Sequence, residues 1–325
     1  MRQDSWERKA SGNRDTIDAL TRDKEGEIKD MTKTKGRGFE TIIYILLALA
    51  AFVTLFPFVN TLAVSLNEAA DTARGGIYLL PRKLTFENYK VIFKYPDLYD
   101  AFIITVGRTV LGALASLVCT AMFAYGLSKP NLKGKNIYMG LSIFTMYFSG
   151  GLIPYYLLLR NLHLTDNFLV YIVPYLVGVF NMIIMRTYFR SIPEALEESA
   201  RIDGAGTFTV FFKVVLPLSG PIVATMILFN GVFQWNSWFD ANIFITKQQL
   251  KPLQIVLVKV INSTKTDEAL MNAGSAAQTL SAQKVINIRS LTASTIMVTT
   301  IPIIMVYPFL QKYFVKGVMI GAVKG

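Results

Sequence analysis

Ser191-Ile-Pro-Glu-Ala-Leu-Glu-Glu-Ser-Ala-Arg-Ile-Asp-Gly-Ala205, running on to Leu216-Pro217-Leu-Ser-Gly-Pro221, is a polar island between two long apolar segments. Ser191 and Glu194 have the spacing of a capping box, and Pro193 suits the first turn of a helix. Glu194 and Glu198 lie four apart, as do Glu197 and Arg201, which predicts a charged, solvent-facing side. Leu196, Ala200 and Asp203 follow at helical spacing. Gly204 ends the helix, since glycine takes the left-handed conformation without a Cβ penalty. Thr207 is placed to cap a second short helix through Lys213, and Pro217 to start the next apolar segment. The expectation is a helix–glycine–helix elbow outside a bilayer.

The surroundings of the elbow are apolar. Of the 325 residues 52% are hydrophobic, and the mean hydropathy is +0.41. A membrane-crossing helix needs about 20 predominantly apolar residues. Six such runs can be read: Phe39–Val64, Ala101–Leu127, Ile137–Leu159, Phe168–Met185, Val214–Trp235 and Leu291–Phe314. The fold class is therefore all-α and integral to a membrane, with six transmembrane helices. A polar tail (1–38) precedes the first transmembrane helix (39–64). An outer loop (65–100) leads to a core (101–315) that holds the elbow loop (191–213) and a second outer loop (241–290). A short tail (316–325) ends the chain.

Lys and Arg set the orientation. With the N-terminus inside, the inner segments carry ten such residues in 1–41, three in Lys129–Lys135, four from Arg186 to Lys213 and three after the last run; the outer segments carry twelve. The loop Ser128–Lys135 has three lysines and no acid, the sharpest positive-inside signal. Both termini and the elbow then lie in the cytoplasm. The net charge of +11 reads as topology and attraction to lipid headgroups; no basic face of a soluble domain points to nucleic acid. Met1–Asp30 is polar, of mixed charge and without a signal-peptide core. Met31 is either the true start, with 1–30 an extension, or the segment is a regulatory tail.

The elbow resembles the cytoplasmic "EAA" loop of binding-protein-dependent ABC importer permeases. Glu198-Ser-Ala200, Arg201-Ile202, Asp203-Gly-Ala205, Leu216-Pro217 and Pro221 carry the resemblance, with Ser199 in place of the first alanine. Other stretches are similar to the carbohydrate-uptake branch of that family. They are Pro81-Arg-Lys-Leu-Thr-Phe-Glu-Asn-Tyr89, Ala124-Tyr-Gly-Leu-Ser-Lys129 and the end of the chain, Gln311–Gly325. The similarity is strongest to permeases for complex oligosaccharides, including polygalacturonan-type fragments and lipoprotein-dependent systems of Gram-positive bacteria.

The resemblance implies a MetI-like permease core in a bacterial plasma membrane that forms half of a pathway. Its implied partners are a second homologous permease, two ATP-binding subunits, an extracellular solute-binding protein, membrane lipid and an oligosaccharide substrate. It assigns ATPase coupling to Glu194, Glu197, Glu198, Ala200, Asp203, Gly204 and Ala205. A polyamine or phosphonate importer is the near alternative, a secondary transporter or channel the distant one, and a purely structural membrane protein a third.

The chain has no G-x-x-x-x-G-K-[ST] sequence, so ATP hydrolysis falls to a separate subunit and the chain itself is not an enzyme and calls for no cofactor. Cys119 and His163 are its only cysteine and histidine; the first excludes a disulfide, and the second reads as a surface residue. No two carboxylates share a span, so a proton relay lacks carriers.

Sugars call for hydrogen-bonding groups and flat aromatic faces, which directs the search for a pathway to Gln234-Trp-Asn-Ser-Trp-Phe-Asp240. Gln234, Trp235, Asn236, Trp238 and Asp240 are candidates there, with family resemblance behind them, and Asn230 lies a turn inward. Tyr147, Tyr155 and Asn181 join them from other spans. The competing role for Trp235 and Trp238 is an interfacial belt. Arg108 meets an anionic substrate, snorkels outward or, as we favour, makes a structural pair. Gly107, Gly112 and Ser116 predict close helix packing. The outer loops are expected to dock the binding protein, with short helices over Pro252–Val260 and Thr266–Gln278.

Overall fold

The computed structural model describes residues 39–94, 96–272, 289–306 and 308. In chain order its helices are α1 (Phe39–Ser65), α2 (Ala69–Thr72), α3 (Glu87–Phe93), α4 (Pro96–Ser128), α5 (Lys135–Tyr147), α6 (Leu152–Asn161), α7 (Val179–Phe189), α8 (Glu194–Ile202), α9 (Thr207–Val210), α10 (Leu216–Leu218), α11 (Gly220–Asn236), α12 (Phe239–Phe244), α13 (Leu253–Asn272) and α14 (Arg289–Val306). Two 3-10 turns, Phe168–Tyr171 and Val173–Tyr175, precede α7, and a π turn, Phe211–Val215, joins α9 to α10. Among the described residues the only sheet-like pairing is an isolated bridge between Asn67 and Leu84.

Among the described residues three helices are long and apolar enough to cross a bilayer unbroken: α1, α4 from Asp97 on, and α14. The other three apolar runs are bent. Helices α5 and α6 meet at 113°, the 3-10 turns meet α7 at 48°, and the α9–α10 helix meets α11 at 86°. The third, fourth and fifth runs, each expected as one transmembrane helix, are therefore bent pairs. The third breaks at Phe148-Ser-Gly-Gly151, where Gly151 has φ +89°, a conformation costly for any residue with a Cβ. The fifth breaks at Ser219, so Pro217 closes the helix before the bend instead of opening the one after it.

Backbone groups freed by a break inside a membrane need new partners. At the 48° bend Thr120 of α4 supplies them: its hydroxyl donates to the Leu176 carbonyl and accepts from the Gly178 amide, both at 3.2 Å. At the start of α13 the Thr105 hydroxyl accepts from the Leu253 amide at 2.9 Å. Cations treat the other end of α4, with Arg186 Nε donating to the Leu127 carbonyl at 3.0 Å, where the helix dipole favours positive charge.

The chain divides into two units between Asn60 and Thr61. The described part of the first is the 39–60 stretch of α1, whose apolar side chains are exposed. The second unit is built around α4. Its C-terminal half packs with α7, the π turn and the start of α11 through Leu117, Ala121, Ala124, Met182, Met185, Val215 and Met226. Lipid tails are as apolar as leucine, so such a cluster is held by close packing, which the small Ala121 and Ala124 permit. Toward the N-terminal end of α4, Leu98 and Ala101 pack with Trp235, Leu253 and Val256.

The Leu84-Thr-Phe-Glu-Asn-Tyr89 stretch clamps the end of α1. Asn88 donates to the carbonyls of Ser65 and Asn67 at 2.9 and 3.0 Å, and the Tyr89 and Ser65 hydroxyls meet at 2.7 Å. Asn67 is a buried hub: it donates to Asp71 at 3.0 Å and Thr72 at 3.1 Å and accepts from the Lys83 amide at 2.8 Å. The Asn67 bond, and then Arg82, whose Nε donates to Asp71 Oδ2 at 2.9 Å, hold the Asp71 carboxyl below its usual range. The helix expected at 252–260 is present but does not stop there; α13 runs unbroken to Asn272. Residues 1–38, 273–288 and 309–325, with the tail and chain-end expectations placed on them, lie outside the described residues.

Candidate functional site: the elbow and the polar node of the fifth span

Helices α8 and α9 flank Gly204, but the start of α8 has a different local chemistry from that expected. Helix α8 begins after Pro193 with no side-chain cap, and Ser191 Oγ instead donates to the Tyr188 carbonyl at 2.7 Å. The capping box is thus not made. Thr207 is likewise not a cap, since Gly206 holds that position without a side-chain bond. The end of α8 is as expected. Gly204 has φ +85°, its amide donates to the Arg201 carbonyl at 3.0 Å, and the Ala205 amide reaches the Ala200 carbonyl at 3.0 Å. These two bonds are a Schellman turn, which satisfies helix-end carbonyls through a left-handed residue.

The faces of α8 differ from the sequence expectation at one residue. Glu194, Glu198, Arg201 and Asp203 are exposed, together with apolar Leu196, Ile202 and Phe208. Ala200 and Ala205 pack toward the α4–α7 cluster. Glu197, expected on the solvent side with Arg201, is buried. It pairs with Lys129 Nζ and accepts from the Tyr125 hydroxyl at 2.9 Å. The same ammonium stands 4.2 Å from the Tyr125 ring centroid, an attractive cation–π geometry. The signal was present: Glu197 lies three residues before Ala200, on its face of the helix.

About a third of the way along α4, Arg108 is fully buried. It neither snorkels nor stays free for a ligand, and the favoured structural pairing is what forms. Nη2 donates to Asp240 Oδ2 at 2.6 Å and Gln234 Oε1 at 3.0 Å. Nη1 donates to Asp240 Oδ1 at 3.3 Å and the Ser237 carbonyl at 3.1 Å, and Nε donates to Gln234 Oε1 at 3.2 Å. A guanidinium has five N–H donors, and these five bonds engage all of them. The guanidinium carbon also sits 4.1 Å from the Tyr171 ring centroid. Asp240 further accepts from Ser237 Oγ at 3.1 Å and the Ala241 amide at 2.9 Å. Gln234 Nε2 donates to the Tyr171 carbonyl at 2.8 Å. Gly112, one turn along from Arg108, makes room: a Cβ there would stand 2.7 Å from Gln234 Nε2.

The structure thus sorts the pathway candidates. Gln234, Trp235 and Asp240 are buried and bonded to protein, Trp235 Nε1 donating to the Thr299 carbonyl at 2.9 Å. In this conformation they face protein. Tyr147, Tyr155, Asn236 and Trp238 are exposed. Asn181 donates to Asn230 Oδ1 at 2.9 Å, and Asn230 Nδ2 is buried without a hydrogen-bond partner. His163 is exposed, in a turn with φ 54°. Asp166 locks that turn to the end of α12. It accepts from the Thr246 hydroxyl and from the Thr246 and Lys247 amides, which pull its pKa from the usual 3.8 to about 2.

Among the described residues no His, Cys, Asp and Glu cluster could hold a metal. Apolar helices long enough to cross a bilayer point to a membrane-embedded protein. The chain belongs to the binding-protein-dependent transport system inner membrane component family, which matches residues 31–320. It is similar to the polygalacturonan/rhamnogalacturonan transport system permease protein YtcP of Bacillus subtilis (strain 168), with 35% identity over 294 residues, 90% of this chain and 100% of the relative. Protein LplC of the same organism is 37% identical over 300 residues, 92% of this chain and 99% of that one. A solved bacterial ABC transporter involved in the import of the acidic polysaccharide alginate has a chain with TM-score 0.75 and 31% identity. That match covers 86% of this chain and 97% of the other.

Proposed function

We propose that this chain is one of two permease subunits of an ATP-driven importer for oligosaccharides. It crosses the membrane six times, counting each bent pair as one crossing, with the elbow and both termini in the cytoplasm. The observation that carries the reading is the elbow. Helix α8 and the turn into α9 offer acidic Glu194, Glu198 and Asp203 beside exposed Leu196, Ile202 and Phe208, a face suited to a groove on an ATPase. Its Schellman turn at Gly204 fixes how that face is presented. The sugar-importing relatives support the substrate class, and the exposed Tyr147, Tyr155, Asn236 and Trp238, with Asn181 and Asn230, supply the aromatic and amide groups a sugar needs. Gln234, Trp235 and Asp240 support that pathway from behind in this conformation. Closure of two ATPase subunits would shift the elbows and the cavity between inward- and outward-facing states, while an external binding protein docks on the outer loops.

Purified and placed alone in liposomes, the chain is expected to hydrolyse no ATP and to import no sugar. Import should require the second permease, the ATPase, the binding protein and ATP. Robust sugar uptake by the chain alone would overturn the importer reading, and ATP-driven import of polyamines or phosphonates, but not oligosaccharides, would overturn the substrate class.

A further inference from the structure

We propose that Glu197 is a positioning residue that transmits movement of the elbow to α4, separately from the residues that dock the ATPase; this rests on the importer reading above. Every other acid of α8 is exposed, whereas Glu197 is buried on the opposite face. Its carboxylate is held by two groups of one element: the Tyr125 hydroxyl on α4, at 2.9 Å, and the Lys129 ammonium immediately after it. A carboxylate so placed is out of reach of a protein bound to the exposed face. It can, however, carry load. The attachment is charge-assisted, which makes it strong and geometrically specific, and its carboxylate is buried while the Lys129 side chain is partly exposed.

What α4 does with that load follows from its other polar node. Arg108 lies twenty residues before Ser128 on the same unbroken helix, about 30 Å away at 1.5 Å per residue. That is the thickness of the hydrocarbon core. Arg108 grips Gln234 and Asp240 with its guanidinium, at either end of the segment that carries Asn236 and Trp238. A push on α8 therefore reaches the candidate pathway through one unbroken helix that carries an ion pair at each of these two nodes.

The test uses the full complex reconstituted in liposomes with its permease partner, ATPase and binding protein. It compares Glu197→Gln, Lys129→Met and the exchange Glu197→Lys/Lys129→Glu, with Glu198→Lys as the docking control. Glu197→Gln and Lys129→Met should each keep the parent's ratio of co-purified ATPase yet lower sugar imported per ATP hydrolysed about tenfold, a size typical of coupling between two sites. The exchange should recover most of that loss, which damage to folding would not allow. Glu198→Lys should instead lose ATPase. If Glu197→Gln does not accumulate in the membrane, Tyr125→Phe, which deletes one hydroxyl, gives the same readout with a smaller drop. Sugar imported per ATP at the parent value in these variants overturns the proposal, as does loss of ATPase from Glu197→Gln that the exchange does not restore. A parent complex that imports no sugar with ATP instead overturns the importer reading itself, and this proposal with it.

Discussion

The two halves of α4 use charge in opposite ways. In its N-terminal half Arg108 is sealed from solvent and every N–H finds an acceptor on α11, α12 or the turn between them. Near its C-terminal end the elbow keeps most of its charges in the open and buries one, Glu197. A sealed, saturated ion pair tolerates no rearrangement, because removing one partner strands a buried charge. An open, unsatisfied face is free to accept a partner. The contrast is between buried polar contacts that are saturated and a charged face left exposed.

Breaking the buried contacts should have the largest effect. Arg108→Ala leaves Asp240 buried without its cation, at a cost of about 3–5 kcal/mol; membrane levels and the midpoint of thermal unfolding in detergent should both collapse. Parent-like levels would show that the node is dispensable. Gly112→Leu attacks the same node by crowding, since even its Cβ would stand 2.7 Å from Gln234 Nε2. About 1–3 kcal/mol is expected, read as a lower unfolding midpoint, and no change would mean that Gln234 moves aside cheaply.

At the open end the effects should fall on association. Glu198→Lys should reduce co-purified ATPase in a salt-sensitive manner, with the unfolding midpoint unchanged. The smallest effect belongs to the outer turn. The Asp166 carboxyl has a depressed pKa, so its contribution is fully present above the usual 3.8 and is lost as pH falls toward about 2. Protection of the Thr246 and Lys247 amides from hydrogen exchange should be flat from pH 7 to about 5 once corrected for intrinsic exchange. Asp166→Asn should lower it at every pH. A parent profile that weakens near neutrality would contradict the assignment.

Much of this was legible in the sequence because it rests on local rules. Gly204 had to be left-handed to stop a helix of that spacing, and it is. Apolar run length located α1 and α4 within a few residues. The breaks were harder. Ser149-Gly-Gly151 and Ser219-Gly-Pro221 are visible punctuation, yet hydropathy averaged over 20 residues passes across them. Contacts distant in sequence were harder still. Glu197 pairs with a lysine 68 residues earlier, and the expected pair with Arg201 at four residues' spacing gave no hint of it. The hydrogen bonds that hold Gln234 and Asp240 to Arg108 span 126 and 132 residues. Polarity marked that segment as special but could not say whether its side chains faced a pathway or an arginine.

The measurement closest to the central claim is sugar import and binding-protein-stimulated ATP hydrolysis by the reconstituted complex carrying Gly204→Asp. No atom stands within 4 Å of a Cβ at this position, and φ is +85°. The change therefore acts through backbone strain of roughly 1 kcal/mol and through the face offered to the ATPase, not through the core. Normal membrane levels, normal binding-protein docking and loss of both stimulated hydrolysis and import are the predicted result. Import and stimulated hydrolysis at the parent rates would contradict the elbow as the coupling element.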